Sequence, residues 1–141
     1  MAGPAYGTNV GLDYTFLTDI DLSGDQFKFV VLGSDGYLDV CTAGALATGV
    51  VQDSPVGTSG QPLASQVRWG GPTKIQAGGS FNPGDKLSSD SAGKAVLYTG
   101  ATVYTGTPYV VSGTQVLGIA LQAGGSGSDT AMLFRPSGLS A

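Results

Sequence analysis

Asp19-Ile20-Asp21-Leu22-Ser23-Gly24 has the spacing of a cation loop. Oxygens from Asp19, Asp21 and Ser23 would converge on one ion while Gly24 makes the bend, as in the first half of an EF-hand. The second half fails, because the twelfth position is Val30 where a bidentate acid is needed. The segment therefore reads as a polar turn, and no metal or other cofactor is expected. Lys86 and Ser88 are the residue types of a Ser–Lys nucleophile pair, and two residues apart on a strand share a face. No oxyanion-hole motif accompanies them, so they fit solvated hairpin positions better. Asp19 and Asp21 have the chemistry of an acid–base pair but no substrate-binding surroundings. Gly78-Gly79 and Gly124-Gly125-Ser126-Gly127 lack the Lys-Ser/Thr of a phosphate loop. Trp69, with Tyr98, Tyr104 and Tyr109, offers the aromatics of a sugar-stacking platform, although strand aromatics more often fill cores and interfaces. No catalytic constellation emerges, and the expectation is a protein that is not an enzyme.

Composition narrows the field in the same direction. The 141 residues contain no histidine, and all ten acidic residues are aspartate. Without imidazole there is no base that titrates near neutrality and no common zinc or haem ligand. The lone Cys41 can form no internal disulfide and reads as a small buried side chain. Net charge is −4, and the six cations (Lys28, Lys74, Lys86, Lys94, Arg68, Arg135) are scattered singly along the chain. No basic stripe follows, so nucleic acid is not an expected partner. No apolar run approaches the roughly 18–20 residues that span a bilayer, so no membrane is expected either. MAGPAYGTNV lacks the pattern of a signal peptide. A surface of Ser, Thr, Asn, Gln and Gly is cheap to desolvate and suits a protein packed against neighbours.

The elements that must position these residues are short strands. Helix signals are weak, with one helical turn expected at Ala43–Gly49. Phe27–Leu32 and Tyr37–Cys41, joined by Gly33-Ser34-Asp35-Gly36, predict a hairpin. Gly49–Gln52, Ser65–Trp69, Thr73–Ala77, Ala101–Tyr104, Pro108–Val111 and Thr130–Arg135 read as further strands. Asn82-Pro83-Gly84-Asp85 has the pattern of a type II turn and Asp90-Ser91-Ala92-Gly93 that of type I, leaving Lys86–Ser88 and Lys94–Tyr98 as strands between and after them. Val116–Leu121 predicts the strongest core strand, with Leu117, Ile119 and Leu121 on one face. Its other face, Val116, Gly118 and Ala120, is small enough for another backbone to approach closely. Nine or ten strands with turns every 8–12 residues imply an all-β fold, a compact sandwich or a partly closed barrel. Residues 19–141 are expected to form one β domain. Residues 1–18 lack turn punctuation yet hold Tyr6, Tyr14, Phe16 and Leu17, which suggests an extended N-terminal arm lying on a partner, or else an edge strand of the domain or a frayed tail.

DLSGDQF (21–27), VVLGSDGYL (30–38), GVVQDSP (49–55), KIQAGGSFNPGDKLSSDSAGKAV (74–96) and VLGIALQAGG (116–125) stand in that order in the chain. The series resembles the capsid decoration, or head cement, proteins of tailed phages over roughly residues 21–135. Residues 56–70 and 99–114 depart from the family pattern. The resemblance implies an all-β domain, made in the host cytoplasm, that binds the outer surface of the expanded icosahedral head. It implies the major capsid protein as partner, self-association as a homotrimer, and capsid contact through the arm, here Tyr6, Tyr14, Phe16 and Leu17. Deleting residues 2–18 is then expected to weaken head binding and leave the β domain folded. The alternatives are a carbohydrate-binding or adhesin module on the virion surface and another virion structural part, from the tail or the head–tail joint.

Overall fold

Asn82-Pro83-Gly84-Asp85 turns as its residues dictate. Gly84 has φ of +89°, the Asp85 N–H donates to the Asn82 carbonyl at 3.1 Å, and the Asp85 carboxylate accepts the Asn82 N–H at 2.8 Å. The next turn closes with the Gly93 N–H donating to the Asp90 carbonyl, while Asp90 Oδ1 accepts the N–H groups of Ala92 and Lys94. These two turns define the hairpin of β7 (Lys86–Ser89) and β8 (Ala95–Leu97), paired in antiparallel register with Leu87 opposite Leu97. The molecule, a computed structural model, is described for residues 12–99, 102–103, 110–111 and 115–136.

Among the described residues there are twelve strands and no helix. The first sheet joins β1 (Asp13–Thr18), β2 (Phe29–Leu32), β3 (Leu38–Val40), β4 (Gly49–Val51) and β5 (Leu63–Arg68) in the order β1-β5-β4-β2-β3. The second joins β6 (Gly71–Gln76), β7, β8, β11 (Gly118–Ala120) and β12 (Asp129–Phe134) in the order β6-β12-β11-β7-β8. All pairings within them are antiparallel, and β9 (Thr102–Val103) pairs with β10 (Val110–Val111) as a separate two-stranded ribbon. The architecture is an all-β sandwich.

Two apolar clusters explain why some strands are continuous apolar runs. Phe29 and Val50 point between the sheets, where they meet Ile75, Leu87, Leu117, Met132 and Phe134, with the Phe29 and Phe134 rings 6.1 Å apart. Their neighbours Val30 and Val51 point the other way, into a second cluster with Leu22, Leu38 and Val67, all fully buried. A strand covered on both faces has no polar side to show, so FVVL and GVV do not alternate. The second cluster exists because the first sheet curls. Its opposite edges meet at a single parallel bridge between Leu17 and Tyr37, and the Thr18 hydroxyl donates to the Leu38 carbonyl at 3.3 Å. One bridge is not a ladder, so the sheet stays open.

Phe27 staples the sheets. Its N–H donates to the Val51 carbonyl of the first sheet, and its own carbonyl accepts the Gln76 N–H of the second. It does so at φ of +63°, a conformation costing a non-glycine residue about 1–2 kcal/mol. The strand expected from Phe27 therefore starts at Phe29.

Two further expectations change. Ala43–Gly49 forms no helical turn, because the Gly44 N–H is drawn to the Ser89 carbonyl of β7 at 2.9 Å instead of to a carbonyl of its own segment. In Val116–Leu121 the core face of β11 is the small one. Ala120 is buried in the inter-sheet core, Ile119 is half-buried on the opposite face, and Leu121 is 47% exposed. Gly118 is small for the reason anticipated: a Cβ there would overlap the Leu133 carbonyl and the Met132 side chain.

Candidate docking site

The N-terminal segment is described from Leu12 onward, and Tyr6 lies outside the described residues. The last six residues of the expected arm are β1, in register with β5 from Asp13 opposite Arg68 to Thr18 opposite Leu63. Sheet pairing hides this strand from a reading by alternation, because Tyr14, Phe16 and Leu17 are spread over both of its faces. Phe16 packs half-buried against the cluster inside the curled sheet, and Tyr14 tilts over it with ring centroids 5.3 Å apart. Tyr14 itself is 62% exposed. Leu17 points to the opposite face. The structure thus brings Tyr14 and Phe16 together and sets Leu17 apart, and Phe16 serves the fold as much as any surface.

Strand β1 is anchored at its start by charge. Arg68 donates from Nε and Nη2 to the two carboxylate oxygens of Asp13 at 2.6 and 3.0 Å, a forked pair that fixes orientation as well as distance. The remaining Nη1 donates to the Pro72 carbonyl at 2.9 Å, tying β1 and β5 to the start of β6. The Trp69 N–H donates to the Leu12 carbonyl at 2.9 Å. Leu12 therefore sits at the corner between β5 and β6, beside a half-exposed Trp69.

The other sequence candidates separate. Asp21 Oδ1 accepts the Ser23 N–H at 2.8 Å, and hydrogen bonds from the Ser23 side chain and then its backbone hold the Asp21 carboxyl below the usual range. That is an Asx turn, and among the described residues no three His, Cys, Asp or Glu side chains gather as metal ligands. Asp35 and Asp90 make the same turn with the N–H two residues on, and Asp53 accepts from the Ser65 hydroxyl and the Gln66 N–H. Aspartate reaches its own backbone in this way, which gives the all-aspartate composition a structural role. Lys86 is exposed while Ser88 is buried. Trp69 precedes β6 and Tyr98 follows β8, at opposite edges of the second sheet. Three strands between those edges put them roughly 19 Å apart, too far for one sugar-stacking platform. Tyr104 and Tyr109 lie outside the described residues.

Cys41 is buried behind the β7–β8 hairpin, and burial pushes its thiol up, toward the protonated form. Nearby, an open depression of about 340 Å³ is lined by Ala43, Gly44, Ser88, Asp90, Leu97 and Thr99. It is wide and shallow rather than an enclosing pocket.

The sequence matches no protein-family model and no curated protein. The fold does have a solved counterpart. The crystal structure of the head fiber gp8.5 N base in bacteriophage phi29 superposes with a TM-score of 0.66, covering 92% of this chain and 99% of that one at 14% identity. The two chains share an architecture across nearly their whole lengths, with little sequence in common.

Proposed function

We propose that this chain is a structural protein of a tailed-phage head that seats on the outer surface of the expanded capsid and stabilises it. The observation that carries the reading is the superposition on the phi29 head fiber base, which takes in 99% of that chain rather than one shared motif. The ordered series of turns and strands that resembles head cement proteins supports it independently. The partner is the major capsid protein, and the working unit is a homotrimer.

The mechanism is binding, with no bond made or broken. A protein that binds the assembled shell and not its separated subunits stabilises the shell by mass action. That amounts to about 2.7 kcal/mol per site when free protein is 100-fold above its dissociation constant. A trimer that touches several capsid subunits adds avidity through effective concentration. Capsid contact includes the segment before β1 together with the exposed Tyr14 beside it.

Because residues 13–18 complete the first sheet, the deletion that tests the segment is residues 2–11 and not 2–18. The shortened chain is expected to keep its strand content and melting temperature and to co-sediment with undecorated expanded heads at reduced occupancy. Full-length protein that never co-sediments with such heads rejects the reading. Equal occupancy of the two chains rejects the role of the segment.

A further inference from the structure

Three cations that stand far apart in the sequence meet on one face of the second sheet. Ile75, Leu87, Ala120, Met132 and Phe134 point into the inter-sheet core. Strand alternation therefore puts Lys74, Lys86, Ile119 and Leu133 on the opposite, outer face. The register lines up Pro72, Leu133, Ile119 and Lys86 across four strands, and Tyr98 extends the row by donating its N–H to the Lys86 carbonyl. Lys74 stands one row away, opposite Ala131, and Arg135 continues β12 past Phe134 with its N–H on the Leu117 carbonyl. Lys74, Lys86 and Arg135 are all exposed. Lys74 reaches over the Phe27 ring at 5.5 Å, and neither ion pair of the described residues involves these three cations.

The charge on this face opposes that of the rest of the molecule. Asp129 is the one carboxylate on the strands of the face. The strands of this sheet and the residues that flank them hold four cations (Lys74, Lys86, Lys94, Arg135) and three aspartates (Asp85, Asp90, Asp129), so the remainder of the chain keeps two cations and seven aspartates. A net-negative protein thus presents a positive, partly apolar sheet face, with Ile119, Leu133 and the 47%-exposed Leu121 between the charges.

We propose that this outer face of the second sheet docks on a carboxylate-rich protein surface, and that the surface is the capsid exterior. The identity of the partner rests on the head-surface reading, whereas the face and its charge do not. The area of the face favours this occupant over a second copy of the chain. Five strands about 4.8 Å apart and three to six residues long offer roughly 360 Å². Standard pairwise interfaces bury about 800 Å² per partner, so one such face suits a repeated array better than a lone dimer. Leu12, the first described residue, also borders the Pro72 end of the face, where its side chain lies against Gly71.

The test uses the full chain and the triple variant Lys74→Gln, Lys86→Gln, Arg135→Gln, with Ser34→Glu, Ser59→Glu, Gln61→Glu, at exposed turn positions away from the face, as the control that lowers net charge by the same amount. All are checked for wild-type strand content and melting. On undecorated expanded heads the triple variant is expected to lose at least 10-fold in apparent affinity. Wild-type binding should weaken as salt rises from about 0.05 to 0.5 M, where charges beyond a few ångströms are screened. The control should bind as wild type does. Equal binding by wild type and triple variant overturns the docking face and leaves the head assignment standing. If wild type ignores heads altogether, the head assignment fails. The face is then judged on a carboxymethyl surface in low salt: retention of wild type with loss of the triple variant supports it, and identical behaviour refutes it. Self-association abolished by the triple variant would assign the face to a second copy and overturn the proposal.

Discussion

The two sheets solve the same problem differently. The first curls until its edges meet at Leu17 and Tyr37, and it buries both faces, one against the second sheet and one around Leu22, Val30, Leu38, Val51 and Val67. The second buries one face and leaves Lys74, Lys86, Ile119 and Leu133 on the other. Strands β2 and β4 at the middle of the first sheet are therefore constrained on both faces, whereas β6 and β12 of the second are buried only on alternate side chains. The stability of the molecule and its outward chemistry are thus divided between sheets, and substitutions should tell the sheets apart.

The largest effect is expected at the seam the sheets share. Phe134→Ala removes a ring packed on Phe29 and should cost about 3–5 kcal/mol, seen as a large drop in the urea midpoint with both sheets lost together. Leu38→Ala hollows the smaller cluster inside the curl, near the sheet edge where collapse is easier, and should cost roughly 2–3 kcal/mol. Hydrogen exchange should then quicken in β1, β3 and β5 while β11 and β12 stay protected. Uniform loss of protection would mean that the two clusters are one cooperative unit. Arg68→Ala unties β1 from β5 and β6, and because the pair is partly solvated the cost should be about 1 kcal/mol in thermal melting. Lys86→Gln on the open face should stay within about 0.5 kcal/mol of wild type, so any change it makes in binding reads the interface and not the fold. Cys41 should resist a thiol reagent in the folded protein near pH 8, because burial favours the neutral thiol, and should react once denaturant opens the sandwich.

The local structure was legible where the chain carries its own instructions. Asn82-Pro83-Gly84-Asp85 and Asp90-Ser91-Ala92-Gly93 set their turns through Pro, Gly and Asp side chains within a few residues, so β7 and β8 follow directly. The β2–β3 hairpin was legible for the same reason, with Gly33 donating its N–H to the Tyr37 carbonyl. What stayed hidden depends on distant partners. Tyr14, Phe16 and Leu17 read as an arm because β1 finds its partner about fifty residues on, at β5. Phe27 takes a positive φ because Val51 and Gln76 hold it from either side, which no neighbouring residue announces. Leu121 looked like core because it follows Leu117 and Ile119, yet the inter-sheet space takes Ala120 instead. The proposed docking face of the second sheet follows the same rule. Lys74, Lys86 and Arg135 are isolated in the sequence, and only the β6-β12-β11-β7 register gathers them.

The decisive measurement is electron-microscopic imaging of undecorated expanded heads with and without the purified full-length protein. Added density of this size is expected at regular positions on the outside of the shell, present with the protein and absent without it. Shells whose outer surface is identical in the two samples at saturating protein and low salt would contradict the head-surface assignment.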